Sequence, residues 1–449
     1  MGKRLRLRGG YATRDFRRTI FFLTVTVLIA AGSVFLFAEL AERGGSFIRP
    51  GELLSAAQEV LRAPQRPFVF RGGAAEAGGG PSSLPVPLQS PSDAFASEAL
   101  APGRAALFPG PPPEDADAPE VSAKAAVLLD AASGRVLYAR EPHARLPMAS
   151  LTKIMTAIVA LEATSDPEEV VTVSPNAEGV EGSSIYLRAG DKIPLRDLLY
   201  GLMLRSGNDA AMAVAEHVGG SVEGFSFLMN EKAAWLGLTD THFVNPHGLD
   251  AEGHYASAYD LAVLSRYAME NPTFREIVGT RVYRPRVTPS GHGNSEAVWT
   301  NKNKLLVTYE GAEGIKTAYT DRAGRGLAAS AVRDGRRLIA VVLNAPDDWN
   351  DVAKLFDYGF SRFPQTPIVR KGEVYTGVRG SYVALADLAY PLRPEEVPRI
   401  GLFVQEAEFG PFRPNAFLKV YLGQEAIGSV PLAPLMGDAG RVVSPEHRP

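Results

Sequence analysis

The segment AAVLLDAASGRVLYAR, residues 125–140, decides the fold class of this chain. Its two apolar runs, AAVLLD and RVLYAR, flank the turn Ala132-Ser133-Gly134, a pattern that predicts an antiparallel β-hairpin. A second hairpin is predicted at residues 326–343, where an Asp-Gly pair lies between GLAASAV and RLIAVVL. Helical patterning fills the interval from about Ser150 to Glu270. The chain is therefore expected to leave and rejoin one antiparallel sheet, which is an α+β fold.

A smaller domain is predicted after this α+β body. Beyond Pro364, short strands such as FLKVYL (417–422) and AIGSV (426–430) alternate with turn residues. We therefore expect a main domain at residues 121–363 and a small all-β domain at residues 364–435, followed by a polar tail at residues 436–449.

The composition bounds the class of protein. The chain has 449 residues, of which 45% are apolar and 22% charged, so it can form sizeable cores and is neither wholly disordered nor collagen-like. It has no cysteine, which excludes disulfides, thiolate zinc sites and a thiol nucleophile. The formal net charge of −3 gives no sign of a nucleic-acid partner.

The N-terminal region predicts export and attachment to a membrane. Residues 1–18 hold seven Lys or Arg and one Asp, and residues 19–38, TIFFLTVTVLIAAGSVFLFA, form an uncharged apolar run long enough to cross a bilayer as a helix. The excess of positive charge predicts that residues 1–18 lie in the cytoplasm and that the chain from about residue 40 onward lies outside. The alternative is a signal peptide cleaved near Ala30-Ala31-Gly32, which would release the protein.

A long linker is predicted between the apolar run and the main domain. Residues 39–120 hold 13 of the 34 prolines, with runs such as Gly78-Gly79-Gly80 and Pro111-Pro112-Pro113. Such a composition buries too little apolar surface to offset the entropy of ordering the chain. We expect a disordered tether that holds the main domain away from the membrane.

Ser150 and Lys153 begin the segment SLTKIMTAIVALEA, residues 150–163, which is apolar on nearly every side and predicts a buried helix. Their i, i+3 spacing puts both side chains on one helix face. Burial and the positive end of the helix disfavour a protonated lysine, so Lys153 is a candidate base for a Ser150 nucleophile. The alternative is structural, with Ser150 as an N-cap and the Lys153 amine extended to solvent.

Two further polar elements are candidates for the same site. In LMLRSGNDAAMAVAEHV, residues 202–218, a helix breaks at Ser206 and Asn208, which can relay a proton and hydrogen-bond a substrate amide, or can simply cap the next helix. At the start of a predicted strand, Lys316 and Thr317 are suited to hold a carboxylate, or can form a solvated strand edge.

In this order, Ser-x-x-Lys, Ser-x-Asn and Lys-Thr-x make the chain resemble penicillin-binding proteins and serine β-lactamases. The sequence more closely resembles the D-alanyl-D-alanine carboxypeptidases, the low-molecular-mass penicillin-binding proteins. The resemblance runs from about Ala123 to Phe363 and rests on the segments PMASLTKIMTA, GSSIYLRAGD, LRSGNDAA, THFVNPHGLD, NKNKLL and EGIKTAYT. The segment FLKVYLGQEAIGSVPL is similar to the C-terminal β domain of that family.

The resemblance implies a β-lactamase/transpeptidase-like fold, with a central antiparallel sheet flanked by helices and a helical lobe that carries Ser206 and Asn208. The active site would lie where sheet and lobe meet. It also implies a bacterial protein on the outer side of the cytoplasmic membrane, attached by one N-terminal span or secreted after cleavage. No cofactor or metal is implied.

The resemblance further implies the substrate and the chemical roles of the candidate residues. The substrate would be a peptidoglycan stem peptide that ends in D-Ala-D-Ala, and β-lactams would be covalent inhibitors. Ser150 would attack the carbonyl between the two D-alanines, and Lys153 would accept the serine proton. Ser206 would link Lys153 with Lys316 and protonate the leaving D-alanine. Asn208 would hold the acyl side of the substrate.

The remaining roles concern the carboxylate and the developing oxyanion. Lys316 and Thr317 would bind the terminal carboxylate of the peptide. The backbone N–H groups of Tyr319 and Ser150 would form the oxyanion hole.

Two positions depart from the family pattern. Ala318 stands where the family has the glycine of Lys-Thr-Gly, and its methyl group is expected to crowd the cleft and to reduce acylation without abolishing it. Lys302 stands where an arginine is expected, which keeps a positive charge but loses the fork geometry of a guanidinium.

Other functions fit these residues less well. A metal site at His242, His247 and His254, close to Asp250 and Glu252, is disfavoured because their spacing matches no common ligand pattern. A β-lactamase is disfavoured because no glutamate is evidently placed to activate a deacylating water. A DD-endopeptidase acting on crosslinked peptides and a penicillin-binding pseudoenzyme with weakened catalysis remain the alternatives.

Overall fold

The computed structural model describes residues 115–406 and 416–435. The predicted cytoplasmic segment 1–18, the apolar segment 19–38, most of the predicted tether and the tail 436–449 lie outside the described residues. Within the described ranges, no helix is long and apolar enough to cross a membrane.

The main body of the protein combines short and long strands with eight α-helices. Its strands are, in chain order, β1 (Ala125–Asp130), β2 (Val136–Arg140), β3 (Val170–Thr172), β4 (Lys192–Pro194), β5 (Val282–Tyr283), β6 (Trp299–Thr300), β7 (Ala312–Thr320), β8 (Gly324–Arg333) and β9 (Arg336–Leu343). Its helices are α1 (Thr152–Ala163), α2 (Leu195–Tyr200), α3 (Asn208–Gly219), α4 (Val222–Trp235), α5 (Ala258–Glu270), α6 (Pro272–Gly279), α7 (Leu305–Thr308) and α8 (Asp348–Arg362).

The central sheet has five antiparallel strands in the order β2-β1-β9-β8-β7. The first hairpin supplies β1 and β2, and the chain returns after the helical region to supply β7, β8 and β9. Both predicted hairpins and the predicted exit and return of the chain are therefore confirmed. Because β7 is an edge strand, the residues Lys316 to Tyr319 lie at one side of the sheet.

Both faces of the central sheet are covered. Val127 and Leu129 pack with the helical region on one face, whereas Leu128 packs with α8, including Phe356, on the other. All six residues of β1 are buried, which explains why AAVLLD is a continuous apolar run and does not alternate.

The described residues after Pro364 form a separate all-β unit, which confirms the predicted small β domain. Its strands are β10 (Gln365–Val369), β11 (Val374–Thr376), β12 (Ser381–Ala384), β13 (Leu388–Pro391), β14 (Ile400–Glu406), β15 (Ala416–Leu422) and β16 (Glu425–Pro434). They form a sheet of order β11-β12-β16-β15-β14 and the pair β10-β13 around their own apolar core.

A buried ion pair connects the two domains. Arg135, in the turn between β1 and β2, donates to both carboxylate oxygens of Glu396 at 3.1 and 2.5 Å and to the carbonyl of Pro391. Its guanidinium also lies 5.4 Å from the ring centroids of Phe363 and Tyr390. The charged head of Arg135 therefore joins the hairpin turn to the β domain.

The segment before the main domain also contacts both parts. The carboxylate of Asp115 accepts hydrogen bonds from Tyr358 at 2.9 Å and from Arg362 at 3.1 Å, both on α8, and lies 3.8 Å from Arg393 of the β domain. Residues 115–120, which the composition assigns to the tether, are thus held at this junction at their C-terminal end.

Candidate active site

The nucleophile candidate lies on a tight turn before α1. A 3-10 turn spans Ala149–Leu151, and Ala149 has a left-handed backbone with φ of 47°. Neither the turn nor α1 has a side-chain N-cap. The Ser150 hydroxyl is therefore not used as a helix cap, and it lies instead within hydrogen-bonding distance of Lys153 and Ser206.

Lys153 is completely buried and has three polar partners. Its Nζ lies 3.1 Å from Ser150 Oγ, and it donates to Asn208 Oδ1 at 2.7 Å and to the carbonyl of His247 at 2.6 Å. The alternative in which the amine extends to solvent is wrong, because the lysine stem and the amine are both enclosed between α1, α3 and the loop at His247.

The surroundings of Lys153 favour a neutral amine. Burial, and then the positive charges of Lys316 and Lys302, hold the pKa of Lys153 well below its ordinary value. A neutral amine has two N–H groups and one lone pair. Asn208 and His247 accept from the two N–H groups, so the lone pair is left to accept the proton of the Ser150 hydroxyl.

Ser206 and Asn208 reach the site from the break between two helical segments. A π-helical turn, Gly201–Arg205, ends at Ser206, whose backbone is left-handed with φ of 64°. Ser206 Oγ donates to Ser150 Oγ at 2.9 Å. Within the described chain no hydrogen bond joins Ser206 to Lys153 or Lys316. Ser206 is connected to Lys153 through Ser150, whereas the Lys316 amine bonds to the carbonyl of Thr317.

Asn208 is the first residue of α3, and it uses its amide within the protein. Its oxygen accepts from Lys153, and its nitrogen donates to the carbonyl of Glu181 at 2.6 Å. In this structure Asn208 therefore positions Lys153, and one N–H of its amide is left for a ligand.

Lys316 and Thr317 lie on the edge strand β7. Lys316 is buried, and its Nζ donates to the carbonyl of Thr317 at 2.8 Å. Burial and the charge of Lys302 lower the pKa of Lys316 to about 7. A lysine in this state gains its full charge when an anionic group approaches, which suits a carboxylate site.

Lys302 adds a further cation, and it connects two walls of the site. Its Nζ donates to Ser183 Oγ at 3.0 Å, and the backbone carbonyl of Ser183 accepts from Asn208 N–H at 2.6 Å. Burial and then the charge of Arg205 lower the pKa of Lys302.

Tyr319 and Ala318 follow on the same strand. Tyr319 pairs with Arg325 in the sheet, and its exposed ring donates through its hydroxyl to Asp321 at 2.9 Å. Ala318 pairs with Gly326 and is nearly buried. A Cβ at Gly326 would lie 3.7 Å from Ala318 Cβ and 3.8 Å from Leu151 Cδ1, so this face of the strand pair looks toward the nucleophile turn.

The three histidines belong to one loop and are engaged separately. His254 contacts Thr152 and Val244, His247 Nδ1 accepts from the backbone of Leu249, and His242 Nδ1 contacts the carbonyl of Gly253. Burial lowers the pKa of His247 to about 3 and that of His254 to about 4. Among residues 115–406 and 416–435, no three metal-binding side chains form a cluster.

Some functional contacts were not predicted from the sequence. The buried carboxylate of Asp209 accepts from the backbone N–H groups of Ile185 and Leu187 and from Ser184 Oγ, which fixes the loop beside Asn208. The backbone carbonyl of His247 accepts a hydrogen bond from the Lys153 amine. Every residue has a backbone carbonyl, so residue type does not predict which carbonyl bonds to Lys153. The Asn-Pro-His-Gly turn at residues 245–248 is the only sequence signal near this contact.

Comparisons with known proteins identify the family of this chain. Residues 113–347, just over half of the chain, match the family described as D-alanyl-D-alanine carboxypeptidase. D-alanyl-D-alanine carboxypeptidase DacF of Bacillus subtilis (strain 168) is 37% identical over 265 residues, which cover 57% of this chain and 67% of the relative. DacD of Escherichia coli (strain K12) is 38% identical over 270 residues, with the same two coverages.

Solved structures extend the similarity into the β domain. Penicillin binding protein 6B from Escherichia coli has a TM-score of 0.59 and 31% identity, and the alignment covers 72% of this chain and 99% of that protein. The D-alanyl-D-alanine carboxypeptidase DacD from Francisella tularensis has a TM-score of 0.58 and 26% identity, with coverages of 73% and 96%. The predicted β-lactamase/transpeptidase-like fold is confirmed, and the chain belongs to the D-alanyl-D-alanine carboxypeptidase family.

Proposed function

We propose that this protein is a serine-type D-alanyl-D-alanine carboxypeptidase that removes the terminal D-alanine from peptidoglycan stem peptides. The observation that carries the proposal is the position of Lys153. Its amine is buried, donates to two carbonyl oxygens and lies 3.1 Å from Ser150 Oγ. Because both N–H groups of the neutral amine already donate to these carbonyl oxygens, its lone pair is left to accept a proton from the serine.

In the proposed acylation step, Ser150 Oγ attacks the carbonyl carbon between the two D-alanines while Lys153 takes the hydroxyl proton. The backbone N–H groups of Ser150 and Tyr319 stabilise the negative oxygen of the tetrahedral intermediate. The peptide C–N bond then breaks, and a proton reaches the leaving nitrogen through Ser206. Free D-alanine departs, and water later hydrolyses the ester on Ser150.

Substrate binding rests on the cationic side of the site. We assign the terminal carboxylate to Lys316 and Thr317, with Lys302 adding positive charge nearby, and the acyl side of the peptide to the free N–H of Asn208. A β-lactam carries a carboxylate next to a strained amide, so it uses the same groups and leaves Ser150 acylated.

Labelling and product release test this function together. The full chain is incubated with a fluorescent penicillin and, separately, with a stem peptide that ends in D-Ala-D-Ala. We expect covalent label and released D-alanine, both lost in Ser150→Ala and both kept in Ser361→Ala, a change of an exposed serine on α8. Label without D-alanine release would support the endopeptidase or the weakened pseudoenzyme. A substrate made of two crosslinked stem peptides separates these two, because only the endopeptidase would cleave it. Absence of label from the folded protein would exclude all three.

We also propose that residues 19–38 hold the enzyme at the outer face of the cytoplasmic membrane, with residues 1–18 inside. The support is the uncharged apolar run and the basic segment before it. The full chain should remain with membranes after alkaline carbonate extraction, and a chain that lacks residues 1–38 should not. Release of a shortened wild-type protein into the medium would instead establish cleavage of a signal peptide.

A further inference from the structure

The loop that follows α4 contacts the nucleophile turn, residues 149–151, and the start of α1. It supplies the His247 carbonyl to Lys153, the Pro246 carbonyl to Thr156 at 2.6 Å and the His254 ring to Thr152 at 2.8 Å. The first of these contacts belongs to the proposed mechanism. The contact of His254 does not, because the hydrogen-bond partners of this ring are Thr152 and Val244 and not Ser150, Lys153 or Ser206.

The protonation pattern of the His254 ring is determined by its neighbours. The backbone N–H of Val244 donates to His254 Nδ1 at 3.0 Å, so Nδ1 must carry a lone pair. The proton of the neutral ring is therefore on Nε2, which lies 2.8 Å from Thr152 Oγ1 and donates to it. The Thr152 hydroxyl in turn donates to the carbonyl of Ala149 at 2.8 Å. Hydrogen bonds thus run in one direction from Val244 to Ala149.

The chain of hydrogen bonds ends on the peptide unit that contains the Ser150 N–H. The carbonyl of Ala149 and the N–H of Ser150 are parts of one planar trans peptide, so their directions are opposed and fixed relative to each other. A hydrogen bond that fixes the Ala149 carbonyl therefore also fixes the direction of the Ser150 N–H. A hydrogen bond to the carbonyl also polarises the peptide and makes its N–H a better donor.

The same peptide needs external support. Ala149 has a left-handed backbone, which is unfavourable for a residue with a side chain and persists only where neighbouring contacts hold it. The Ala149 carbonyl accepts from both the backbone N–H and the hydroxyl of Thr152, and the hydroxyl is oriented by His254. Both side chains are enclosed, since Thr152 is fully buried and His254 is 6% exposed. Solvent cannot replace either hydrogen bond without rearrangement.

We propose that His254 is a positioning residue for catalysis: through Thr152 it orients and polarises the Ala149–Ser150 peptide, whose N–H stabilises the oxyanion. This inference rests on the proposed function, because it requires Ser150 to be the nucleophile. His254 touches neither the substrate nor the reacting atoms, so it should stabilise only the tetrahedral state. Its substitution should therefore lower kcat and leave KM unchanged.

Substitutions at two positions test the inference in the full chain. His254→Gln keeps an acceptor for Val244 and a donor for Thr152, whereas His254→Leu keeps neither, and Thr152→Val removes the central hydroxyl with little change of shape. We expect His254→Leu and Thr152→Val to lower kcat for D-alanine release, and the penicillin acylation rate, by about tenfold or more, with KM unchanged. His254→Gln should stay within a few-fold of the wild type, as should His242→Leu, a matched change of an exposed histidine in the same loop.

Four results distinguish the possible explanations. A double variant, His254→Leu with Thr152→Val, should be no slower than Thr152→Val alone, because both changes interrupt one chain. If Thr152→Val, or a folded His254→Leu, retains the wild-type acylation rate, the inference is overturned even though the proposed function stands. If His254→Leu does not fold, the comparison of Thr152→Val with His254→Gln decides. A wild-type protein that resembles Ser150→Ala would instead overturn the proposed function.

Discussion

At the residue scale, the two buried lysines predict a bell-shaped pH profile for kcat/KM. Lys153 must be neutral to accept a proton, so the rate should fall as the pH decreases through its lowered pKa. Lys316 must be charged to bind a carboxylate, so the rate should fall as the pH increases above about 7, the lowered pKa of Lys316. Removal of a neighbouring charge should move the alkaline limb.

Lys302→Ala tests whether Lys316 causes the alkaline limb. The pKa of Lys316 is lowered first by burial and then by the positive charge of Lys302. The alkaline limb of kcat/KM for the stem peptide should shift to higher pH in Lys302→Ala. It should stay in place in Arg188→Ala, an exposed cation elsewhere on the lobe. An alkaline limb that does not respond to Lys302→Ala would mean that a group other than Lys316 titrates there.

A second prediction concerns the methyl group of Ala318. The structure places it almost out of solvent, on the face of the strand pair that looks toward Leu151 and the nucleophile turn. We expect Ala318→Gly to increase the rate of penicillin acylation by a few-fold, because the turn and the ligand can then approach the strand more closely. An unchanged acylation rate in Ala318→Gly would show that the methyl group is accommodated without cost.

At the element scale, the close contact between the loop 245–254 and the nucleophile turn depends on one glycine. Gly248 has φ of 90°, and a Cβ there would lie 1.9 Å from the Ala149 carbonyl oxygen. Gly248→Ala should therefore lower the free energy of unfolding by more than the about 1–3 kcal/mol expected from backbone strain alone. It should also abolish penicillin acylation, since the turn must move.

Gly190→Ala is the matched control. Gly190 has nearly the same backbone, with φ of 87°, but nothing lies within 4 Å of a Cβ there. Its cost should be backbone strain only, and acylation should be retained. Equal unfolding free energies for the two variants, measured by denaturant titration, would contradict a specific role for the contact at Ala149.

The elements also show which parts of the molecule could be predicted. Both hairpins and the buried helix α1 were predictable because their signals are local: apolar runs, an Asp-Gly turn and an apolar surface on all sides. The sequence predicts a polar break at Ser206, but it does not predict the π-helical end or the left-handed backbone there, because no residue preference specifies them. The contact of His254 with Thr152 joins residues about a hundred positions apart, which no local pattern records.

At the scale of the whole molecule, the pair Arg135–Glu396 should contribute most to holding the two domains together. Both side chains are nearly inaccessible, so Arg135→Leu leaves a buried carboxylate with only the backbone and side chain of Arg393 as donors. Loss of one partner of a buried pair costs about 3 kcal/mol or more. Arg145→Leu, which breaks an exposed pair with Asp240, should cost less than about 1 kcal/mol.

Denaturant titration of the two variants measures both costs. A similar small effect for Arg135→Leu and Arg145→Leu would mean that the interface is held by its apolar contacts, such as those of Phe363 and Tyr390. The sequence predicted the β domain from its short strands, but it did not predict this link. Arg135 lies in a hairpin turn, where an arginine is ordinarily solvated, and only the folded arrangement brings Glu396 to it.

The contact at Gly248 also limits how the gene can change. Every non-synonymous base substitution in a glycine codon introduces a side chain or a stop, and no side chain fits beside the Ala149 carbonyl. Lys302, by contrast, is exposed, so a different residue can be accommodated there. Among variants of the gene that keep penicillin acylation, codon 248 should therefore stay invariant, whereas position 302 should accept substitutions.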